Sequence, residues 1–275
     1  MTKPCGCLLR DFNLIKIKCI LPENRKMNII WDITKEDTQK MVDFINENQN
    51  VFVENRFNRN IKREHIVTDK NIILKEITMC LLTSQQRSGP NTPIGKFLRL
   101  KPFPFTVEKF EKEKNIEDFI RKTLLTNGLN RYINRITKFI IYNYTGLIHT
   151  KWELFKNIEK ELNGQTTISE ERKIADKIAK NLKGFGPKQA RNLLQGLGLT
   201  RYEIPIDSRI TNWLNKFGFP ISLSSIALQD TSYYHFVSDG INELCKKVNI
   251  YPCIFDAVIF SSFDKGEWNE ENVIS

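Results

Sequence analysis

The run Lys183-Gly184-Phe185-Gly186-Pro187-Lys188-Gln189-Ala190 sits between two stretches of helical periodicity, and few folds can absorb it. Ile174, Ile178 and Leu182 recur at helical spacing and form one apolar stripe. Gly184 and Gly186 supply backbone freedom that only glycine has cheaply, so the first helix is predicted to stop at Leu182. Pro187 suits a first helical turn, where its missing N–H would have had no partner, and the residues from Lys188 to Leu194 are good helix formers. The spacing therefore predicts a helix, a tight glycine hairpin and a second helix. Such a hairpin turns unpaired backbone N–H groups outward at a helix N-terminus, a ready site for a phosphate oxygen of a nucleic-acid backbone.

A GxG between helices is by itself only a turn. Here it comes with an apolar residue before it, a lysine two places after it, and Ile204-Pro205-Ile206-Asp207, which puts Asp207 nineteen positions after Lys188. Together these resemble the HhH-GPD (helix-hairpin-helix) superfamily of base-excision DNA glycosylases, in particular the 8-oxoguanine DNA glycosylase/AP lyase type that lacks an iron–sulfur cluster. The resemblance covers about residues 70–265. It implies that Lys188 is the nucleophile and Asp207 the catalytic carboxylate. An N-glycosidic bond breaks with positive charge developing on the sugar, so a carboxylate stabilises the transition state while an amine captures C1′. A lysine amine of ordinary pKa, about 10.4, is mostly protonated, so this chemistry asks for desolvation and for the positive end of a helix.

The fold implied is mainly α, in two lobes with the site in the cleft between them. A helical barrel would span 70–203 with the hairpin at 174–199, residues 204–275 would form a C-terminal helical lobe, and 1–69 would pack with that lobe. Periodicity supports helices starting near Thr34, then over 71–83, 116–125, 131–144, 152–162, 169–182, 210–217, 233–248 and 252–263. Residues 12–20 and 27–31 flank a Pro22-Glu23-Asn24-Arg25 turn and read as a short β-hairpin. There is no internal repeat and no low-complexity spacer.

The resemblance extends to further positions. Cys80 to Gln86 is similar to the end of the first barrel helix, where an amide fills the gap left by a flipped nucleotide; Gln85 is the candidate plug, or else a solvent-facing amide. Gly128-Leu129-Asn130-Arg131-Tyr132 resembles the loop that wedges the duplex, with Leu129 at the point. An apolar wedge unstacks a base step without reading donors, so weak discrimination of the opposite base is expected. Ile254 to Ser261 resembles the last helix, where Asp256 and Phe260 share one face at i, i+4. Phe260 would stack on the flipped base and Asp256 would accept N1–H and N2–H of a guanine edge, with Asn192 on the other side of the ring. The alternatives are a core phenylalanine, a surface aspartate and an asparagine without a direct role. Lys183, Gly184, Gly186 and Arg209 are the expected backbone contacts, a surface salt bridge being the alternative for Arg209.

Composition agrees with a DNA partner. Lys and Arg number 42 against 32 Asp and Glu, a formal charge of +10, which favours polyanions through counterion release. The partner expected is double-stranded DNA with a damaged base, the protein being a monomer, cytoplasmic and without a membrane segment. Cys5, Cys7, Cys19, Cys80, Cys245 and Cys253 do not form the four-cysteine cluster of iron–sulfur relatives. Reduced thiols with no metal and no cofactor are expected, the alternative being zinc on Cys5, Cys7 and Cys19. The resemblance also implies a monovalent cation on the hairpin carbonyls. His65, His149 and His235 have no partner spacing and read as structural or surface residues. The activity implied is excision of 8-oxoguanine through a lysine Schiff base, followed by β-elimination. Alternatives are a glycosylase for oxidised pyrimidines, uracil or mismatched thymine and, from another class, a non-catalytic helix-hairpin-helix DNA-binding module.

Overall fold

The structure, a computed structural model, describes residues 30–63, 69–86, 88–162, 164–263 and 268–269. Those from Ile33 onward belong to one compact unit, Ile33–Ser275; of the other, Met1–Asp32, only residues 30–32 are described. Apart from Ile30 and Trp31, the expected β-hairpin lies outside the described residues, as do Cys5, Cys7, Cys19 and His65.

All regular structure among the described residues is helical. Helix α1 (Lys35–Glu47) starts at Thr34, which accepts the Asp37 N–H at 3.1 Å while the Asp37 carboxylate accepts the Thr34 N–H at 3.0 Å. Helix α2 (Val51–Arg56), capped by Asn50, runs directly into a π-helical segment, Phe57–Lys62. Then follow α3 (Lys70–Leu82), α4 (Pro93–Leu98), α5 (Val107–Lys112), α6 (Ile116–Thr126), α7 (Ile133–His149) and α8 (Glu153–Leu162). Helices α9 (Ile168–Asn181) and α10 (Pro187–Gly196) flank the glycine hairpin, and α11 (Ser208–Phe217), α12 (Thr231–Lys247) and α13 (Pro252–Ser262) complete the helices of the described residues. Helices α2, α4 and α5 are not among the expected ones. Each has six residues, fewer than two turns, too few for a 3.6-residue repeat to declare itself.

Side chains bury into two cores. The first draws on α3 to α10 and closes with Leu197 and Leu199; the second joins Met41, Ile45 and Val53 from α1 and α2 to residues from Ile204 to Ile259. Eight of the thirteen residues of α3 and nine of the eleven of α13 are buried, so each of these helices runs through the middle of its core. Residues 200–206 carry the chain from one core to the other without regular structure. No helix among the described residues is long and apolar enough to cross a membrane.

Candidate active site

The hairpin is held from both sides. Gly184 has φ +86°, in the left-handed region, and a Cβ there would run into Phe139 and Leu81, so two independent constraints require glycine. The buried Asn143 of α7 accepts the Lys183 N–H at 2.7 Å and donates to the Lys183 carbonyl at 3.0 Å, clamping the start of the turn. Gly186 differs from expectation: its φ of −108° and ψ of −171° are extended backbone open to any residue, and a Cβ would meet nothing. What this glycine leaves is room. It is the N-cap of α10, which has no side-chain cap and carries Pro187 in its first turn, so the leading N–H groups face an open approach. Lys183, Gly184 and Gly186 are all exposed. The turn also offers backbone carbonyl oxygens, a donor type that suits a monovalent cation.

Along α10, Lys188, Asn192 and Gln195 follow at i, i+4 and i+7 and share one face. Lys188 is partly buried, and its amine has no hydrogen bond or ion pair among the described residues. Asn192 donates to the sulfur of buried Cys80 at 3.6 Å. Burial pushes the Cys80 thiol well up, while the nearby charge of Lys188 pulls it back, which puts the amine in the neighbourhood of α3. Further along, the Gln195 amide donates to Asp256 Oδ2 at 2.6 Å, and Arg56 Nη1 reaches the same oxygen at 3.0 Å. Burial pushes the Asp256 carboxyl up; the Arg56 guanidinium opposes that shift and the charge of Asp207 adds to it.

Asp207 is the N-cap of α11. Its Oδ1 accepts the N–H groups of Arg209 at 2.8 Å and Ile210 at 3.2 Å, and its Oδ2 pairs with Arg209 Nη1 at 3.2 Å. Capping fixes the carboxylate through two backbone donors at a helix end that favours negative charge. The Arg209 guanidinium also lies over the Phe260 ring, 4.3 Å from its centroid, and Phe260 stacks on Phe52 at 5.0 Å. Gln195 and Asp256 thus tie α10 to α13, and Asp207, Arg209 and Phe260 tie α11 to α13, while Lys188 stands on the same face of α10 as Gln195.

No family model and no curated protein matches the sequence. Solved structures do match. The crystal structure of the 8-oxoguanine DNA glycosylase of Thermotoga maritima superposes with a TM-score of 0.60 at 17% identity, covering 86% of this chain and 99% of that one. The Methanocaldococcus jannaschii 8-oxoguanine glycosylase/lyase in complex with a 15mer DNA containing 8-oxoguanine gives 0.58 at 17%, covering 84% and 99%. The 8-oxoguanine DNA glycosylase of the same organism gives 0.57 at 18%, covering 85% and 97%. The chain has the fold of the 8-oxoguanine DNA glycosylases.

Several expected positions are corrected within that glycosylase fold. Leu129 is not a wedge. It is 6% exposed and belongs to the first core, because α6 ends in a Schellman closure. Gly128 at φ +75° donates to Leu125 O and Leu129 donates to Leu124 O, both at 2.9 Å, which folds the leucine back onto its own helix. Gly128, Asn130, Arg131 and Tyr132 of this loop are exposed, and Tyr132, at φ +58°, donates its hydroxyl to the Gln85 side-chain carbonyl at 3.2 Å. Gln85 is exposed at φ +59°, and the Arg131 and Arg135 guanidinium groups lie over the Tyr132 ring at 4.8 and 4.5 Å. Two non-glycine residues in the left-handed region, side by side on one surface, are uncommon.

Asp256 is neither a surface charge nor a free acceptor, because one of its oxygens is already taken by Arg56 and Gln195. Arg209 turns inward onto Asp207 and Phe260 instead of outward. Gln195, Arg56 and Asn143 escape the sequence reading, and Tyr132 enters it only as part of the wedge loop. Of these, Gln195 alone leaves a local signal, the helical face that it shares with Lys188 and Asn192. Among the described residues no group of three or more His, Cys, Asp or Glu side chains is arranged to hold a metal. Cys80, Cys245 and Cys253 are free and buried.

Proposed function

We propose that this chain is a bifunctional DNA glycosylase and AP lyase that removes 8-oxoguanine flipped out of double-stranded DNA. The observation that carries the reading is an unpartnered, partly buried lysine amine two residues into α10, in a fold shared with 8-oxoguanine glycosylases that also carries a carboxylate capping α11. The two cores act as two lobes, with residues 200–206 crossing between them.

The α10 N-terminus and Lys183 hold a phosphate of the damaged strand, and a monovalent cation on the hairpin carbonyls would share that contact. The flipped base stacks on Phe260 after Arg209 withdraws, and Asp256 meets its edge with the oxygen that Arg56 and Gln195 leave open. Asp207 stabilises the positive charge that develops on the sugar as the glycosidic bond breaks and the base departs with the bonding pair. The Lys188 lone pair forms a bond to C1′, and ring opening with loss of a proton from nitrogen gives the iminium. Loss of a proton from C2′ then expels the 3′ phosphate and cuts the strand. On the opposite side, Gln85 and Tyr132 are the pair suited to fill the gap in the duplex.

Borohydride trapping on duplexes with 8-oxoguanine opposite each base tests this reading, with Lys188→Gln alongside. An adduct in the parent protein that is lost in Lys188→Gln supports it. Release of a different base from a lesion panel would retain the chemistry and replace the substrate. A protein that binds DNA and acts on no lesion would be a helix-hairpin-helix binding module.

A further inference from the structure

We propose that Tyr234 is a positioning residue for Asp207, fixing the capped carboxylate through the backbone in front of it; this rests on the glycosylase reading above. Residues 203–206 are buried and outside any helix, with no strand among the described residues to pair with. Backbone donors and acceptors in such a segment must find partners elsewhere. Tyr234, fully buried on α12, supplies two: its hydroxyl accepts the Ile206 N–H at 2.7 Å and donates to the Ile204 carbonyl at 2.7 Å. Asp207 follows immediately. Burial pushes the Tyr234 phenol well up, so it remains a donor across the working pH range.

The tyrosine is itself located by the nucleophile's helix. The buried Arg191, one turn past Lys188, lies over the Tyr234 ring at 4.5 Å and donates to the Pro187 carbonyl at 3.2 Å. Its Nε pairs with Glu203 at 2.5 Å and its Nη2 with Asp176 at 3.2 Å. Glu203, at the head of this buried segment, also takes Arg172 at 2.9 Å and the Ser238 hydroxyl at 3.1 Å. An unbroken set of buried contacts therefore joins the first turn of α10 to the residues that precede Asp207. Buried ion pairs of this kind are often matched in stability by apolar replacements, so stability alone gives little reason for one here. Fixing two catalytic groups from different helices to within a fraction of an ångström gives a better one.

Tyr234→Phe keeps the ring and its contact with Arg191 and removes only the hydroxyl. Single-turnover release of 8-oxoguanine should slow at least about tenfold, since small displacements of a catalytic group cost up to about 10²-fold. In an Asp207→Asn background the same change should cost less than about twofold, because its effect runs through Asp207. Equal losses in both backgrounds, or no loss in the first, would overturn the proposal and leave the glycosylase reading standing. A parent protein that releases no base sinks both. Independently of turnover, hydrogen exchange at the Ile206 amide should accelerate at least about tenfold in Tyr234→Phe while α10 amides remain protected; unchanged protection would refute the contact.

Discussion

Replacing Asp256 by alanine would strand the Arg56 guanidinium, since the two side chains meet at 3.0 Å with only 12% and 8% of their surfaces exposed. Breaking a buried pair from one side costs about 3–5 kcal/mol. Urea melts of Asp256→Ala should show a loss of that size, while Asp256→Asn, which keeps the shape and an acceptor, should lose clearly less. If Asp256 also reads the base, Asp256→Asn should narrow the preference for 8-oxoguanine over lesions without paired donors. These two consequences separate the structural and recognition roles of one carboxylate. The pair was invisible in the sequence because its partners stand 200 residues apart. Lys188 and Asp207, by contrast, stand out in the sequence because a glycine hairpin and a Pro-x-Asp at fixed distance from it are short-range patterns.

At the scale of elements, the hairpin glycines differ in what they protect. Gly184→Ala forces a side chain into left-handed backbone against Phe139 and Leu81 and should destabilise the fold by more than about 1 kcal/mol. Gly186→Ala meets open space and should change stability by no more than about 0.5 kcal/mol. It should nonetheless weaken DNA binding, because it crowds the N-terminus of α10. Thermal melts and fluorescence anisotropy on lesion-free duplex would check both.

Helix α3 makes a different prediction. Burial pushes the Glu76 carboxyl above its ordinary value, with Arg59 and Lys75 opposing, and its Oε2 has no hydrogen-bond partner. A raised acid binds its proton more tightly in the folded state. Stability therefore falls as pH rises from the ordinary glutamate value of 4.5 through the raised folded one. Glu76→Gln should match the parent near pH 4 and melt a few degrees higher at pH 8. Helix α1 announced itself through Thr34, whereas α9 and α11 were expected from periodicity and their caps, Thr167 and Asp207, show only in the structure. The π-helical segment did not announce itself, because its identity depends on Asn60 reaching the carbonyls of Gln195 and Thr200 across the fold.

For the whole molecule, the excess of 42 Lys and Arg over 32 Asp and Glu predicts affinity for any duplex that falls steeply with salt. Lys183→Ala should lower the slope of log K against log salt by about 1 without altering lesion preference. Anisotropy titrations between 50 and 200 mM salt would measure it, and an unchanged slope would remove Lys183 from the backbone contact. The two-core plan has one more consequence. The second core takes Met41, Ile45 and Val53 from one end of the chain and Phe255, Val258 and Ile259 from the other. During synthesis the first core has all its residues once Leu199 has left the ribosome, whereas α1 and α2 must wait for α13 to be translated. A newly made chain thus passes through an interval in which α1 and α2 are finished but unsheltered, and that interval lengthens as translation slows.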